Sequence, residues 1–151
     1  MVKIINILYA IVKQIEVIMP KSTHELGEYS GDKDTFCYYL VFSNSNRNTK
    51  HTKEVLVDIQ IIYHAKSINY VGRTSLKEKL EVQEKLETFL SQFILRVDDR
   101  VLKFDSDIGE ADGELMVNLS FRFFDGMIDL TYDEEQAREI IQNIIINNEV
   151  I

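Results

Sequence analysis

Residues 54–64 read EVLVDIQIIYH. Val55, Val57, Ile59, Ile61 and Tyr63 recur at every second position, the period at which strand side chains return to one face. Asp58, Gln60 and His64 share the alternate positions with Leu56 and Ile62. The pattern predicts a long strand with one face in a core and a mixed face that is either wet or covered by a partner. It carries no catalytic signature.

The same pattern returns at residues 115–124, where Leu115, Val117, Leu119, Phe121 and Phe123 alternate with Met116, Asn118, Ser120, Arg122 and Phe124. Two long half-apolar strands each need a covered face and backbone partners, which places both in one antiparallel sheet. Residues 36–42, FCYYLVF, predict a third strand, covered by core on one face and by a helix or a neighbouring subunit on the other. Between it and the 54–64 strand lies SNSNRNTKHTK, residues 43–53, with Arg47, Lys50, His51 and Lys53 and no acid. It reads as a long polar hairpin connection, either a solvated loop or an arm that meets an acidic neighbour. Residues 100–104 suggest a short strand, and DSDIGEADGE at 105–114 an acidic hairpin loop.

Three segments carry helical periodicity. Ile4, Leu8, Ile11 and Ile15, widened by Ile5, Ile7 and Val12, mark a helix over residues 2–18 that Pro20 ends. Residues 21–35 read as irregular, with room for a short edge strand, and residues 65–73 as a crossing that contains Gly72. Ser75 and Glu78 fit a capping box, with Thr74 as a competing cap, for a helix over residues 76–94. Its stripe is Leu76, Leu80, Leu86, Phe89, Leu90 and Phe93, and Lys77, Glu78, Lys79, Glu81, Glu84 and Glu87 form its solvated face. Thr131 and Glu134 cap a terminal helix with Ala137, Ile140, Ile141, Ile144 and Ile145 on one stripe. Ile146, Val150 and Ile151 exceed what one stripe needs, so this tail rests on its own core or docks on another subunit. The expected fold is α+β: a single domain over residues 1–151 in the order α-β-β-α-β-β-α. A mainly antiparallel four-stranded sheet is flanked by helices, and residues 132–151 are a C-terminal helix and tail.

The chain of 151 residues suits one core. Its 45% hydrophobic and 28% charged residues argue against disorder. A formal charge of −8 with scattered lysines argues against a general affinity for nucleic acid backbone. The apolar N-terminal run is broken by Lys13, Gln14 and Glu16 and is followed by no small-residue cleavage pattern, so neither a signal peptide nor a membrane span is expected. Cys37 is the only cysteine and suits a buried position in a reducing compartment.

Chemistry is sparse. His24, His51 and His64 fall on separate segments, and one cysteine makes no thiolate cluster. Asp32 and Asp34 beside Gly31 are ordinary turn chemistry. The 105–114 segment places Ile108 where a calcium loop needs oxygen. His64 and Asp58 stand about 20 Å apart along an extended strand. No phosphate-binding glycine loop, nucleophile elbow or paired-histidine zinc helix is present. No catalytic residue, metal or cofactor is expected.

The N-terminal apolar helix, FCYYLVFSNSNRNTK, EVLVDIQIIYHAK, the charged helix LKEKLEVQEKLETFL and the late ELMVNLSFRFFD together resemble the tail terminator, or tail completion, proteins of bacteriophages and prophages. The texture is most similar to those of contractile-tail and tailocin clusters. The resemblance implies a structural homo-oligomer, commonly a hexameric ring, that caps the head-proximal end of a tail tube. Such a ring ends tube polymerisation and offers a head or neck docking surface. It implies tube protein as partner, with sheath and neck or connector proteins as further ones, and neither specific nucleic acid binding nor a membrane, although DNA can pass through the ring. Localisation would be host cytoplasm during assembly, then the virion or tailocin tail. Under that resemblance Tyr39, Asp58, Gln60, Ile62, Asn118, Ser120 and Arg122 form the subunit interface. Arg47, Lys50 and Lys53 touch tube, sheath or a neighbouring subunit, and Asp105, Asp107, Glu110 and Asp112 line the lumen. Another neck or tail-connector protein and an unrelated intracellular adaptor are the alternatives.

Overall fold

The computed structural model describes residues 2–27, 33–66 and 74–126. Its elements are α1 (Ile4–Ile18), β1 (Thr23–Glu25), β2 (Thr35–Arg47), β3 (Thr52–His64), α2 (Leu76–Leu90), β4 (Ile94–Val97), β5 (Arg100–Ala111) and β6 (Glu114–Gly126). The six strands form one sheet in the order β1-β2-β3-β6-β5-β4. All neighbours are antiparallel except β1, which runs parallel to β2. The α+β class stands, but the expected four-stranded sheet and its order α-β-β-α-β-β-α do not: the described order is α-β-β-β-α-β-β-β. The expected C-terminal helix, residues 127–130 and Asp32 lie outside the described residues.

The extra strands have physical causes. β4 forms because α2 stops at Leu90, short of the expected residue 94. Phe93 then takes a positive φ of 57°, an uncommon conformation for a bulky residue that turns the chain back. Residues 94–97 pair with Arg100–Val101–Leu102–Lys103 of β5. β1 attaches to the first residues of β2, as Thr23↔Thr35, His24↔Phe36 and Glu25↔Cys37.

Both segments expected to be long loops are largely strand. Residues 43–47 continue β2 and pair with residues 53–57 of β3, and the connection shrinks to a short turn at 48–51. There Thr49 and Thr52 close on each other through their hydroxyls at 2.7 Å. Residues 105–111 continue β5 against β6. The chain reverses at Asp112 and Gly113, both at positive φ (52° and 82°), as a two-residue primed turn demands.

The core lies on one side of the sheet. Val57, Ile59, Ile61 and Tyr63 of β3 are buried beside Leu115, Val117, Leu119, Phe121 and Phe123 of β6. Ile7, Ile11 and Ile15 of α1 and Val82, Leu86, Phe89 and Leu90 of α2 close over them. The spacing of Ile7, Ile11 and Ile15 puts them on one helical stripe. Ser75 caps α2 by accepting the Glu78 N–H. Leu76 and Leu80, expected on the α2 stripe, are exposed, whereas Lys79, expected in solvent, is buried. The Lys79 ammonium reaches Glu110 at 2.8 Å and the Gly113 carbonyl at 2.9 Å, so its charge and two of its three N–H donors are met.

Candidate assembly surface

Strand pairing determines what lies on the sheet face away from the helices. In β3 that face carries Glu54, Leu56, Asp58, Gln60 and Ile62, because the alternate residues are in the core. The register extends each position into a row across the sheet. Tyr39, Gln60, Asn118 and Asp107 make one row. Phe42, Asp58, Ser120 and Asp105 make the next. Cys37, Ile62, Met116 and Gly109 lie on one side of these two rows, and Asn44, Leu56 and Arg122 on the other.

The structure therefore brings all seven expected interface residues, Tyr39, Asp58, Gln60, Ile62, Asn118, Ser120 and Arg122, onto one face. Asp105 and Asp107 of the acidic set join them. Glu110 does not: it belongs to the helix side, held by Lys79. Asp112 sits at the β5–β6 turn.

The centre of this face is half-buried at Asp58, Gln60, Ile62 and Asn118, while Ser120, Arg122, Asp105 and Asp107 are exposed. Gln60 donates to the Met116 sulfur at 2.9 Å, and Arg122 pairs with Glu54 at 3.0 Å. Asp58 and Asp105 share a row with only Ser120 between them, two strand spacings or about 10 Å apart. The middle of the face is accordingly acidic.

Phe42 reaches this face because of a bulge. Leu40 pairs with Ile59 and Phe42 with the adjacent Asp58, leaving Val41 as the extra residue. Before the bulge Phe36 and Tyr38 point into the core; after it the parity reverses, and Ser43 and Ser45 take the core side. Leu40, Val41 and Phe42 are 49%, 59% and 47% exposed. Within this chain Phe36, Cys37 and Tyr38 of the 36–42 run are buried, and Leu40, Val41 and Phe42 are left for a neighbouring subunit to cover if the expectation is to hold for them.

The basic residues gather at the far end of the β2–β3 hairpin. Arg47 pairs in register with Lys53. Like charges directly opposed on a sheet are unfavourable; on its other side Lys53 faces Asp125 of β6, so Arg47, at the outer end of the row, is the cation most open to a further acidic group. The Arg47 guanidinium donates to the carbonyls of Thr49 (3.3 Å) and Lys50 (3.5 Å), and the whole of 41–51 is exposed.

Two polar clusters escaped the sequence reading. His64 Nδ1 meets Glu114 Oε2 at 2.9 Å, and Glu114 also accepts from the Thr74 N–H at 2.7 Å and from its hydroxyl at 3.2 Å. Thr74 Oγ1 in turn accepts the Ala65 N–H at 3.0 Å. This set fastens the start of α2 to the ends of β3 and β6; the ambiguity between Thr74 and Ser75 as cap was its only trace in the sequence. At the other edge His24 Nδ1 lies 2.8 Å from the Tyr38 hydroxyl, its ring stacked on Phe36 at 5.8 Å. Burial holds the His24 pKa below its ordinary value against the opposing pull of Glu16. Burial also raises the Cys37 thiol and the Tyr38 phenol, which keeps both protonated at neutral pH.

Among the described residues no three His, Cys, Asp or Glu side chains are grouped to hold a metal. No helix of the described residues is long and apolar enough to cross a membrane. The chain matches no model of a known protein family and no curated protein.

Proposed function

We propose that the protein is a structural subunit of a tail-terminator ring, a homo-oligomer that caps the head-proximal end of a phage-like tail tube. The observation that carries this reading is the gathering of Tyr39, Asp58, Gln60, Asn118, Ser120 and Arg122 on the sheet face opposite the described helices α1 and α2. Polar and acidic side chains half-buried on such a face suit contact with another protein of the assembly, a second copy or the tube, better than a monomer's own core. The basic hairpin end at Arg47, Lys50 and Lys53 supports the reading in a second way, as a projecting arm of opposite sign to the rest of the chain.

In this role the protein performs no bond chemistry. It would act in the host cytoplasm during assembly and remain in the virion or tailocin tail, with tube protein as its first partner and sheath or neck proteins as others. The test is to mix the purified protein with isolated tail tubes and measure tube length. Tubes that stop growing support the role, and tubes that elongate as freely as without the protein overturn it.

A further inference from the structure

The sheet ends in two strand edges that its own edge strands cover only in part. β1 covers β2 at Thr35, Phe36 and Cys37 alone. From Leu40 to Arg47 no described strand lies outside β2. On the opposite side β4 covers β5 only at Arg100–Val101–Leu102–Lys103, and Phe104 is met by the Phe93 carbonyl at 3.0 Å. From Asp105 to Ala111 no described strand lies outside β5. Exposed edges of this length are templates for pairing, and monomeric proteins blunt them with lysine, proline or short strands. Between Leu40 and Asn46 the β2 edge has neither lysine nor proline; the Val41 bulge interrupts it at one end, and beyond the bulge Phe42 to Asn46 remain exposed and uncharged.

We infer that copies of this chain join head to tail, the β2 edge of one copy pairing with the β5 edge of the next. The inference rests on the ring reading for its closure into a ring, and on the two edges for the contact itself. Strand direction favours it. Three antiparallel steps separate β2 from β5, so the two edges run in opposite directions. A copy rotated about an axis inclined to the strands therefore presents β5 antiparallel to β2, the stronger kind of ladder, and the inclination supplies the stagger between copies without translation along the axis. Two different edges make a heterologous contact, which propagates and closes when the rotation divides a circle.

Charge favours it too. On the open face the β5 edge between Asp105 and Ala111 carries Asp105 and Asp107, Glu110 being held by Lys79 on the helix side, whereas the β2 edge between Leu40 and Asn46 carries no charge. Within one copy Asp105 is level with Phe42 and Asp107 with Tyr39. Sliding the second copy toward the hairpin tip until the two uncovered edges overlap fully brings Asp107 opposite Asn44 and Asp105 opposite Asn46. Paired with itself the β5 edge would set Asp105 and Asp107 against acid, whereas the β2 edge offers them the neutral Asn44 and Asn46; Arg47 and Lys53 project from the other face. Asn44, Asn46, Asp105 and Asp107 all lie on the open face, so the acidic face continues from copy to copy.

The test uses cysteine pairs and a short thiol cross-linker; Cys37 is fully buried and does not compete. N44C protein and D107C protein are treated separately, then mixed. The inference predicts cross-linked dimers only in the mixture, and a ladder of multimers for the double variant N44C/D107C. Dimers from N44C alone mean like edges pair and overturn it, as does the absence of cross-links in the mixture. Light scattering on the wild-type protein separates the two claims. Oligomers without β2–β5 cross-links sink the edge contact and leave the ring reading standing, and a monomer at every concentration, with and without tail tubes, sinks both. A second pair of variants guards against local damage. N44D/N46D places acid against acid and is expected to lose assembly at low salt, and mixing it with D105K/D107K copies restores assembly. No loss, or no restoration, counts against the contact.

Discussion

Glu114 accepts the Thr74 N–H at 2.7 Å while being 5% exposed, so a buried carboxylate holds the entry to α2. The partner segments are far apart in sequence, and the bond closes the helix layer onto the sheet.

Glu114→Ala would leave the Thr74 N–H and hydroxyl and the His64 ring without their shared acceptor. Removing one member of a buried hydrogen-bonded charged set costs about 3 kcal/mol. Glu114→Gln, which keeps an acceptor oxygen, should cost less. Urea unfolding midpoints of the two variants check the order, and equal midpoints would show that the charge is immaterial.

The cap of α2 is a smaller and separable contribution. Ser75→Ala removes the acceptor for the Glu78 N–H and should lower stability by about 1 kcal/mol. Leu119→Ala, at a fully buried position, should cost about 2–5 kcal/mol. Thermal or chemical denaturation measures both, and the two sites are far enough apart in role for their effects to be compared directly.

His24 gives a pH signature of known sign. Its folded pKa lies below the ordinary 6.5, chiefly through burial. The unfolded chain therefore binds more protons between the two pKa values, so this contribution is present above 6.5 and is lost as pH falls through that window. His24→Phe keeps a ring against Phe36 and removes the titration. The variant should lose less stability than the wild type between neutral and mildly acidic pH, as measured by denaturant midpoints at each pH. Parallel losses would remove His24 from the account.

The hairpin cations are expected to matter for association rather than folding. Arg47 and Lys50 are exposed and Lys53 is half-buried, so serine at all three should change stability by less than about 1 kcal/mol. Capture of isolated tails by the triple variant should fall, and fall most at low salt. Capture equal to wild type would take the hairpin out of the assembly surface.

The strands with one buried face were legible because burial imposes a period. Val57, Ile59, Ile61 and Tyr63, and Leu119, Phe121 and Phe123, each occupy the face their alternation predicts. Where neither face is buried the period vanishes, and residues 43–47 and 105–111 passed for loops although cross-strand hydrogen bonding continues through them. The Val41 bulge reverses parity within an apolar run, which no alternation reveals, and so put Phe42 out of reach of the interface reading. On α2 the exposed Leu80 and the buried Lys79 exchange their expected places because Glu110 and the Gly113 carbonyl wait for the ammonium on a distant hairpin. The open face itself could be read as a set of positions on β3 and β6; its rows, and the entry of Asp105 and Asp107 into them, required the register.

The ring-capping role is tested most directly by electron microscopy of tail tubes mixed with the purified protein. The account predicts a closed ring of density on one end of each tube, absent from tubes alone. Bare ends at saturating protein, with the protein monomeric in the same mixture, would contradict it.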